Sequence, residues 1–458
     1  MRNGHTLACA MLVAAIATAI PSGQARAQDA ASAPQAETVT ITLEEAIRRA
    51  EASEPGYAAA KADSRSAQLD RSIAAAGLLP IARSFSQGIY VQPNGLHAES
   101  GEGVASAPDP KFVAADARPR EYMAQGVVDE TLGMAGIASV RRANAAAAQA
   151  EAQLEVERRG LIAAVTGLFY GLYAADAKLS VARRALLEAQ DFTTLTTERE
   201  QARETAHADV VKAQLVEQQR ERDLSDATVA AEKARLELGV LLFSDPETPY
   251  TLGVGAAPSL ASRADVNAAA ARNNPQLKAA LATVGVSDAD VMAARAAYLP
   301  NVLLNVAYGI DANEFAANGP LLPDGARASN LGYSASVTVN LPVWDWLATE
   351  HKVKQSEIRR DAAKVALSAT QRQLIARLDV TYSEAAAARD QLASLDASVS
   401  TAAEALKLTK LRYQGGEGTV LEVVDAQNAY LLAENAREDG RARYEMALAD
   451  LQTLTGTM

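Results

Sequence analysis

Two carboxylates beside a glycine-rich turn are the strongest candidates for functional chemistry. Glu422 and Asp425 follow the turn Gly415–Gly418, and their i, i+3 spacing lets both lie on one face of a helix. Several copies around a narrow opening would form a ring that attracts cations and repels anions. The spacing also fits a structural role, because Thr419-x-x-Glu422 is a capping box and acids in a first helical turn favour the helix dipole. Both roles stay open, and they are compatible.

Catalytic and metal-binding motifs are missing from the sequence. There is no H-E-x-x-H, no cysteine pair, no G-x-S-x-G and no phosphate-binding glycine loop after a strand. His207 stands near Asp209, but their i, i+2 spacing puts the two side chains on different helix faces. The remaining histidines are isolated: His5, His97 and His351. We expect no enzyme activity, no cofactor and no metal site.

The elements that position the carboxylates occur twice. The segment from Glu54-Pro55 to Leu79-Pro80 recurs from Asn274-Pro275 to Leu299-Pro300, at an offset of 220 residues. Further on, Val210-Val211 recurs as Val423-Val424 at an offset of 213. A long duplicated unit predicts one body built from two similar halves.

The predicted organisation has five segments. They are a signal peptide at 1–27, a flexible N-terminal segment at 28–40, a first repeat at 41–243, a linker at 244–262 and a second repeat at 263–458. Cys9 is the only cysteine, and a lipoprotein signal there is not expected because no apolar run precedes it. Loss of Arg2 and Arg26 with the signal takes the net charge from −12 to −14, which argues against nucleic acid as a partner.

Each repeat contains a helix stopped by proline, a strand hairpin and a long helical pair. The hairpins are predicted at about 81–132 and 301–343. In the second hairpin, apolar residues from Tyr333 to Leu341 alternate with polar ones; in the first, Phe85, Ile89 and Val91 are the apolar positions. The first hairpin has a long loop at about 93–121, rich in Gly, Pro and Ala.

The long helices carry a coiled-coil pattern. From Leu378 to Tyr413, apolar and small residues recur at alternating steps of 3 and 4, which is an a/d seam. A helix from about Gly133 to Glu204 would be about 100 Å long. It includes the apolar run Gly160–Ala175 with a Gly167-x-x-x-Gly171 spacing, which we interpret as a closely packed helix rather than a membrane span.

Strands with one apolar face suit an outer-membrane barrel, but four strands cannot close one. Open sheet edges are costly in lipid, so copies of the chain must pool their strands, and three copies would give 12 strands. The predicted fold class is an α+β membrane protein. Tandem-repeat α-helical coiled-coil hairpins form an α-barrel, and four β-strands per chain contribute to a trimeric 12-stranded outer-membrane β-barrel.

At two motifs the sequence resembles TolC-like outer-membrane efflux proteins. These are Leu341-Pro342-Val343-Trp344-Asp345 and the stretch from Tyr413 to Gln427, which is similar to the family's periplasmic helix-tip turn. The resemblance implies a homotrimer in outer-membrane lipid with a helical tunnel in the periplasm. It also implies two partners, a periplasmic adaptor and an inner-membrane pump driven by protons or ATP.

The same resemblance implies roles for individual residues. Glu422 and Asp425 would form the pore constriction. The helix-tip turn, with adaptor docking, would comprise Tyr413, Gly415, Gly416, Gly418 and Arg203. Two positions depart from the family: Gly418 replaces a frequent basic or polar residue, and the first tip, at Arg203, has no glycine.

Two features of the sequence allow more than one interpretation. Trp344 and Trp346 suit either a membrane-interface position or core packing. The main alternative to a channel is a periplasmic coiled-coil adaptor or scaffold, which would share the signal peptide, the acidity and the heptads. No particular exported substrate is favoured.

Overall fold

The computed structural model describes residues 39–90, 120–255 and 259–457. The signal segment with Cys9, Val91, His97 and most of the loop predicted at 93–121 lie outside these ranges. The elements are β1 Val39–Thr42, α1 Leu43–Ser53, α2 Pro55–Ala76, β2 Ile81–Tyr90, β3 Arg120–Gly133, α3 Met134–Gln201, α4 His207–Leu242, β4 Tyr250–Gly253, α5 Arg263–Asn273, α6 Pro275–Ala296, β5 Asn301–Ala312, β6 Asn318–Leu321, β7 Arg327–Ser329, β8 Leu331–Asn340, α7 Ala348–Gln414 and α8 Val420–Thr455.

The order of elements confirms the duplication. Prolines begin α2 and α6, where a missing backbone N–H costs nothing, and a second proline follows each helix before a strand. Asn274 caps α6 by accepting a hydrogen bond from the Leu277 amide (2.8 Å), and its amide group donates to the Leu454 carbonyl (3.0 Å). The long helices α3 and α7 have 68 and 67 residues, so each is about 100 Å long.

The four long strands form one antiparallel sheet in the order β2-β3-β5-β8, so the two repeats join at β3 and β5. Strand register separates an apolar face from a polar face, because directly paired residues share a side. The apolar face of β5 and β8 consists of Val302, Leu304, Val306, Tyr308, Ile310, Leu331, Tyr333, Ala335, Val337 and Val339. The alternation predicted for the second hairpin is therefore confirmed.

The apolar face predicted for the first hairpin is wrong. Phe85 pairs with Gln125, and Ile89 pairs with Glu121, which puts both on the polar face of the sheet. Arg83 on that face forms an ion pair with Asp129 (2.6 Å). The register of β2 on β3, and of β3 on β5, decides which residues of β2 share the apolar face of the sheet. The alternation within β2 alone was too weak to predict them.

The helices lie side by side in two tiers. Near the sheet, α3 packs against α2 and α6, and α6 packs against α7. Beyond this tier, α3 packs against α4 and α8, and α8 packs against α7. Each tier therefore has two outer helices with one unpartnered side: α2 and α7 near the sheet, α4 and α7 beyond it.

The predicted coiled-coil seam is confirmed. Every residue of the seam from Leu378 to Tyr413 is buried or half-buried, although α7 as a whole is mostly exposed. By composition α3 contains one 18-residue stretch apolar enough to cross a membrane, with 39% of it buried inside the chain. Val165 and Phe169 lie in a core shared with α1 and α4, but a Cβ at Gly167 or Gly171 would touch nothing within 4 Å. The expected close contact at these glycines is therefore not present.

Two short strands, β1 and β4, lie partly or wholly in segments for which the sequence predicts no strand. Val39 and Thr40 stand at the end of the segment predicted to be flexible, yet they lie in β1, which pairs in parallel with β4 inside the predicted linker. Tyr250 of β4 is 1% exposed and its hydroxyl donates to the Arg235 carbonyl (2.7 Å). Burial raises the pKa of this hydroxyl to about 12. The pairing joins segments 211 residues apart, which no local pattern reveals.

The two helical hairpins turn in the same conformation. Arg203 (φ 62°) in the first turn and Gly416 (φ 79°) in the second both have left-handed backbone, and they are equivalent at the 213-residue offset. The first tip therefore needs no glycine to make the turn. A non-glycine residue in this conformation costs about 1–2 kcal/mol, so the first turn is strained where the second is not.

Arg203→Gly should stabilise the first tip by about 1 kcal/mol or somewhat less, because glycine relieves this strain but loses more chain entropy on folding. Amide hydrogen exchange at the end of α3 should slow by about threefold. Gly416→Ala should have the opposite effect in the second tip. The control is Ala202→Gly: Ala202 has ordinary right-handed backbone (φ −73°), so glycine there should speed exchange. Equal effects of Arg203→Gly and Ala202→Gly would contradict the assignment of strain to Arg203.

Candidate functional site at the helix tips

The second tip is a tight turn held by backbone hydrogen bonds. The amides of Glu417 and Gly418 both donate to the Arg412 carbonyl (2.9 and 3.2 Å). A Cβ at Gly418 would lie 3.0 Å from the Tyr413 nitrogen, so the absence of a side chain lets the turn fold back on α7. This close approach gives a physical reason for glycine at the position where the family often has a basic or polar residue.

Glu422 and Asp425 differ in their surroundings. The Glu422 amide donates to the Thr419 hydroxyl (3.3 Å), so the capping interaction is present. The Glu422 carboxylate is half-exposed and lies 3.2 Å from the Arg412 guanidinium of the same hairpin. Asp425 is exposed and, within the described residues, its carboxylate makes no hydrogen bond or ion pair. Of the predicted pair, Asp425 therefore carries the unneutralised charge.

Tyr413 is a buried contact between the two hairpins. It is 3% exposed, its ring packs edge-on against Phe192 (5.2 Å between centroids), and its hydroxyl lies 3.3 Å from the Thr196 hydroxyl. Val420 and Val423 complete this cluster. The family resemblance implies a place for Tyr413 in the helix-tip turn with adaptor docking, but its side chain is buried in the interior of the tip. Gly415, Gly416 and Arg203 are exposed.

Arg199 is a tip residue that the sequence analysis missed. Its guanidinium lies over the Tyr413 ring (4.8 Å), donates to the Tyr413 carbonyl and forms an ion pair with Glu204 (3.3 Å). Arg199 is equivalent to Arg412 at the 213-residue offset, so the repeat could have identified it. Arg412 likewise contacts its own turn, donating to the Glu417 carbonyl (3.2 Å). The two arginines thus hold equivalent turns, and Arg199 also joins the hairpins.

A polar layer lies between the hairpins, farther from the turns. Arg184 forms an ion pair with the buried Glu434 (2.8 Å), and the Tyr430 hydroxyl donates to the same carboxylate (3.1 Å). Lys410 forms a second ion pair, with Glu188 (3.0 Å). Burial raises the pKa of Tyr430, and the Glu434 charge adds to the effect. The layer encloses a cavity of about 60 Å³, and no heptad or motif in the sequence indicated it.

The residues considered for enzyme chemistry are separate from one another. His207 lies 2.7 Å from Glu200, whereas Asp209 accepts from the Thr205 hydroxyl (3.0 Å). In the described ranges no three His, Cys, Asp or Glu side chains are placed to hold a metal ion. The second tip offers the carboxylates of Glu422 and Asp425 and an exposed turn.

Comparisons with known proteins agree with this architecture. Residues 266–457 match the outer membrane efflux protein family. Outer membrane protein OprJ of Pseudomonas aeruginosa is 30% identical over 177 residues, which cover 39% of this chain and 36% of OprJ. Protein CyaE of Bordetella pertussis is 28% identical over 334 residues, covering 68% of this chain and 65% of CyaE. The chain thus aligns with less than two thirds of each curated relative.

Solved structures extend the likeness over nearly the whole chain. The CmeC outer membrane channel of Campylobacter jejuni superimposes with a TM-score of 0.73, covering 91% of this chain and 85% of CmeC at 15% identity. At that identity the likeness concerns the fold, and it includes both repeats. The family consists of outer-membrane channel proteins rather than enzymes, with a helical extension into the periplasm. The second repeat of the chain therefore matches the outer membrane efflux protein family, and the chain as a whole shares the fold of solved outer membrane channels.

Proposed function

We propose that the chain is the outer-membrane channel of a tripartite efflux or secretion system and acts as a homotrimer. The observation that carries the proposal is that every layer of the chain ends in two unpartnered edges. In the sheet these are β2 and β8, near it α2 and α7, and beyond it α4 and α7. Matching edges in three layers favour closure by copies of the same chain.

The sheet edges give the strongest physical reason for closure. Among the described residues, strands β2 and β8 each pair on one side only, and β8 is exposed along its whole length. In a membrane the free N–H and C=O groups of these edges would cost several kcal/mol each. Pairing β8 of one copy with β2 of the next removes that cost, and three copies give 12 strands.

An apolar stripe on α4 supports the same arrangement in the helices. Val211, Leu215, Val229, Leu236 and Val240 are all exposed, and their spacing places them on one face of the helix. At about 100° per residue, this face lies opposite the side that α4 buries against its own chain. Exposed apolar residues also occur on the other edge helices, at Leu69, Ile73, Ile358, Val365 and Val380.

The proposed transport path runs from an adaptor at the helix tips, through the helical tunnel and out through the barrel. The inner-membrane pump, driven by protons or ATP, would select the cargo. The exposed turn residues Gly415, Gly416 and Arg203 would meet the adaptor. Asp425, together with Glu422, would form the acidic constriction.

The helix interface can be tested with two neighbouring substitutions. Val229→Asp puts a charge in the centre of the α4 stripe and should weaken the heat-modifiable trimer, since a buried unpaired charge costs several kcal/mol. Ala230→Asp adds the same charge one residue later, on an exposed side of the helix, and should leave the trimer intact. Electrophoresis of outer-membrane fractions, with and without heating, measures both. Wild-type protein found as soluble periplasmic monomers would instead support the adaptor or scaffold alternative.

The constriction can be tested by single-channel recording. Replacing both acids, Glu422→Ala with Asp425→Ala, should raise conductance or reduce block by divalent cations. Of the single changes, Asp425→Asn should relieve divalent block by about tenfold and Glu422→Gln by less, because Arg412 already neutralises Glu422. Glu417→Gln, in the turn itself, is the matched control. Unchanged conductance and block in the double variant would exclude the pore role.

A further inference from the structure

Apolar side chains interrupt the polar face of the sheet where β2 and β3 pair. They are Ile81, Phe85 and Ile89 on β2, and Met123 and Val127 on β3. Val127 lies opposite Arg83, and Met123 lies opposite Gln87, so the two β3 residues are diagonal to the three β2 residues. Diagonal neighbours on one face of a strand pair are about 7–8 Å apart, within reach of long side chains. The five residues therefore form one zigzag line, the apolar track.

Most of the apolar track is open to solvent. Ile81 is 60% exposed and Phe85 is half-buried, as are Ile89 and Met123, whereas Val127 is buried. The cation beside the track is neutralised, because the Arg83 guanidinium forms an ion pair with Asp129 (2.6 Å). Asp129 lies opposite Ile81, so the Arg83 side chain runs toward that end of β2 and away from the Phe85 ring. The track therefore offers an apolar ligand an aromatic ring and aliphatic side chains on a face that is otherwise polar.

Closure of the barrel leaves the track uncovered. In the proposed channel the polar face lines the lumen, because the apolar face meets lipid, and β8 of the next copy lies beside β2. The β8 residues on the polar face are Gly332, Ser334, Ser336, Thr338 and Asn340. All have short side chains, so β8 does not cover the track in any register that keeps its apolar face toward lipid. Each junction between copies then has a groove with one apolar wall and one wall of small polar residues.

Charge near the track favours a cationic ligand. Glu121 lies opposite Ile89, at the end of β2 that is far from the helices, and among the described residues its carboxylate forms no ion pair or hydrogen bond. The face of the Phe85 ring also attracts cations. At the other end of the transport path, Asp425 carries an unneutralised carboxylate as well. A molecule with an apolar body and a positive charge is therefore complementary to both the track and the carboxylate beside it.

We propose that the apolar track binds cationic amphipathic molecules as they pass through the barrel, with one track at each junction between copies. The inference rests on the proposed function, because the track lines a lumen only in the closed trimer, and it names a class of cargo for that function. The apolar body of the cargo lies on Phe85 and the isoleucines of β2, and its positive charge is directed to Glu121. Since similar contacts repeat along the track, the cargo moves from one to the next without leaving the wall.

Block of single-channel current by matched organic ions tests the track. The full-length trimer in a planar bilayer receives hexyltrimethylammonium, hexanesulfonate or tetramethylammonium on the exterior side. The second ion reverses the charge of the first, and the third removes its apolar body. We expect hexyltrimethylammonium to interrupt the current for about tenfold longer than either of the others, the factor that corresponds to burial of about 60 Å² of apolar surface. Phe85→Ser and Ile89→Ser, made singly, should each shorten these interruptions by about fivefold.

The matched control is Leu303→Ser, the same kind of change on the same face but two strands away, which should leave the interruptions unchanged. Equal interruptions by hexyltrimethylammonium and tetramethylammonium in the unaltered channel would overturn the track, and so would unchanged interruptions in both β2 variants. Loss of the heat-modifiable trimer in both β2 variants would show that the next copy covers the track, which also overturns it. A conducting channel with any of these results rejects the track alone, whereas an unaltered trimer that does not conduct rejects the proposed function.

Discussion

The structure depends above all on the hydrogen-bonding capacity of its strand edges. A four-stranded sheet leaves one edge on β2 and another on β8, and lipid offers no partner for the free backbone groups. The described helices have open edges as well. Both tiers end in helices with one open side, and α4 carries apolar residues there that a monomer would leave in water. The sheet and both helical tiers therefore share the same feature, an open edge on each side.

The duplication gives the chain two similar halves, which join where β3 pairs with β5. The tips show how far the halves have diverged within one backbone conformation. Arg199 and Arg412 occupy equivalent positions and hold equivalent turns, but only Arg199 crosses to the other hairpin, where it covers Tyr413. Arg412 instead neutralises Glu422. An arginine at equivalent positions therefore holds the two hairpins together in one half and pairs with a carboxylate of its own hairpin in the other.

Local patterns predicted most of the fold correctly. Prolines placed the helix starts, the a/d seam identified the buried face of α7, and strict alternation identified the apolar face of β8, since each pattern follows from the geometry of a single element. Prediction failed where the outcome depended on a distant partner. Phe85 and Ile89 alternate with polar residues as an apolar face would, but they lie on the polar side of the sheet. Val39 stands in a segment that the sequence predicts to be flexible, although it pairs with Tyr250. The same difference holds at the tips. The Thr419 cap was predictable because it lies within one helical turn, whereas the contact of Arg199 with Tyr413 joins two hairpins and was not.

By itself the sequence determined the repeated architecture, the positions of the turns and the presence of Glu422 and Asp425 near one tip, because these depend on spacing along the chain. Only the tertiary structure decided which of the two acids stays unpaired, why Gly418 is needed and which way Tyr413 points. Each of these depends on side chains that approach from another helix or fold back across a turn. The exposed edges belong to this second group, because exposure is a property of the packed chain.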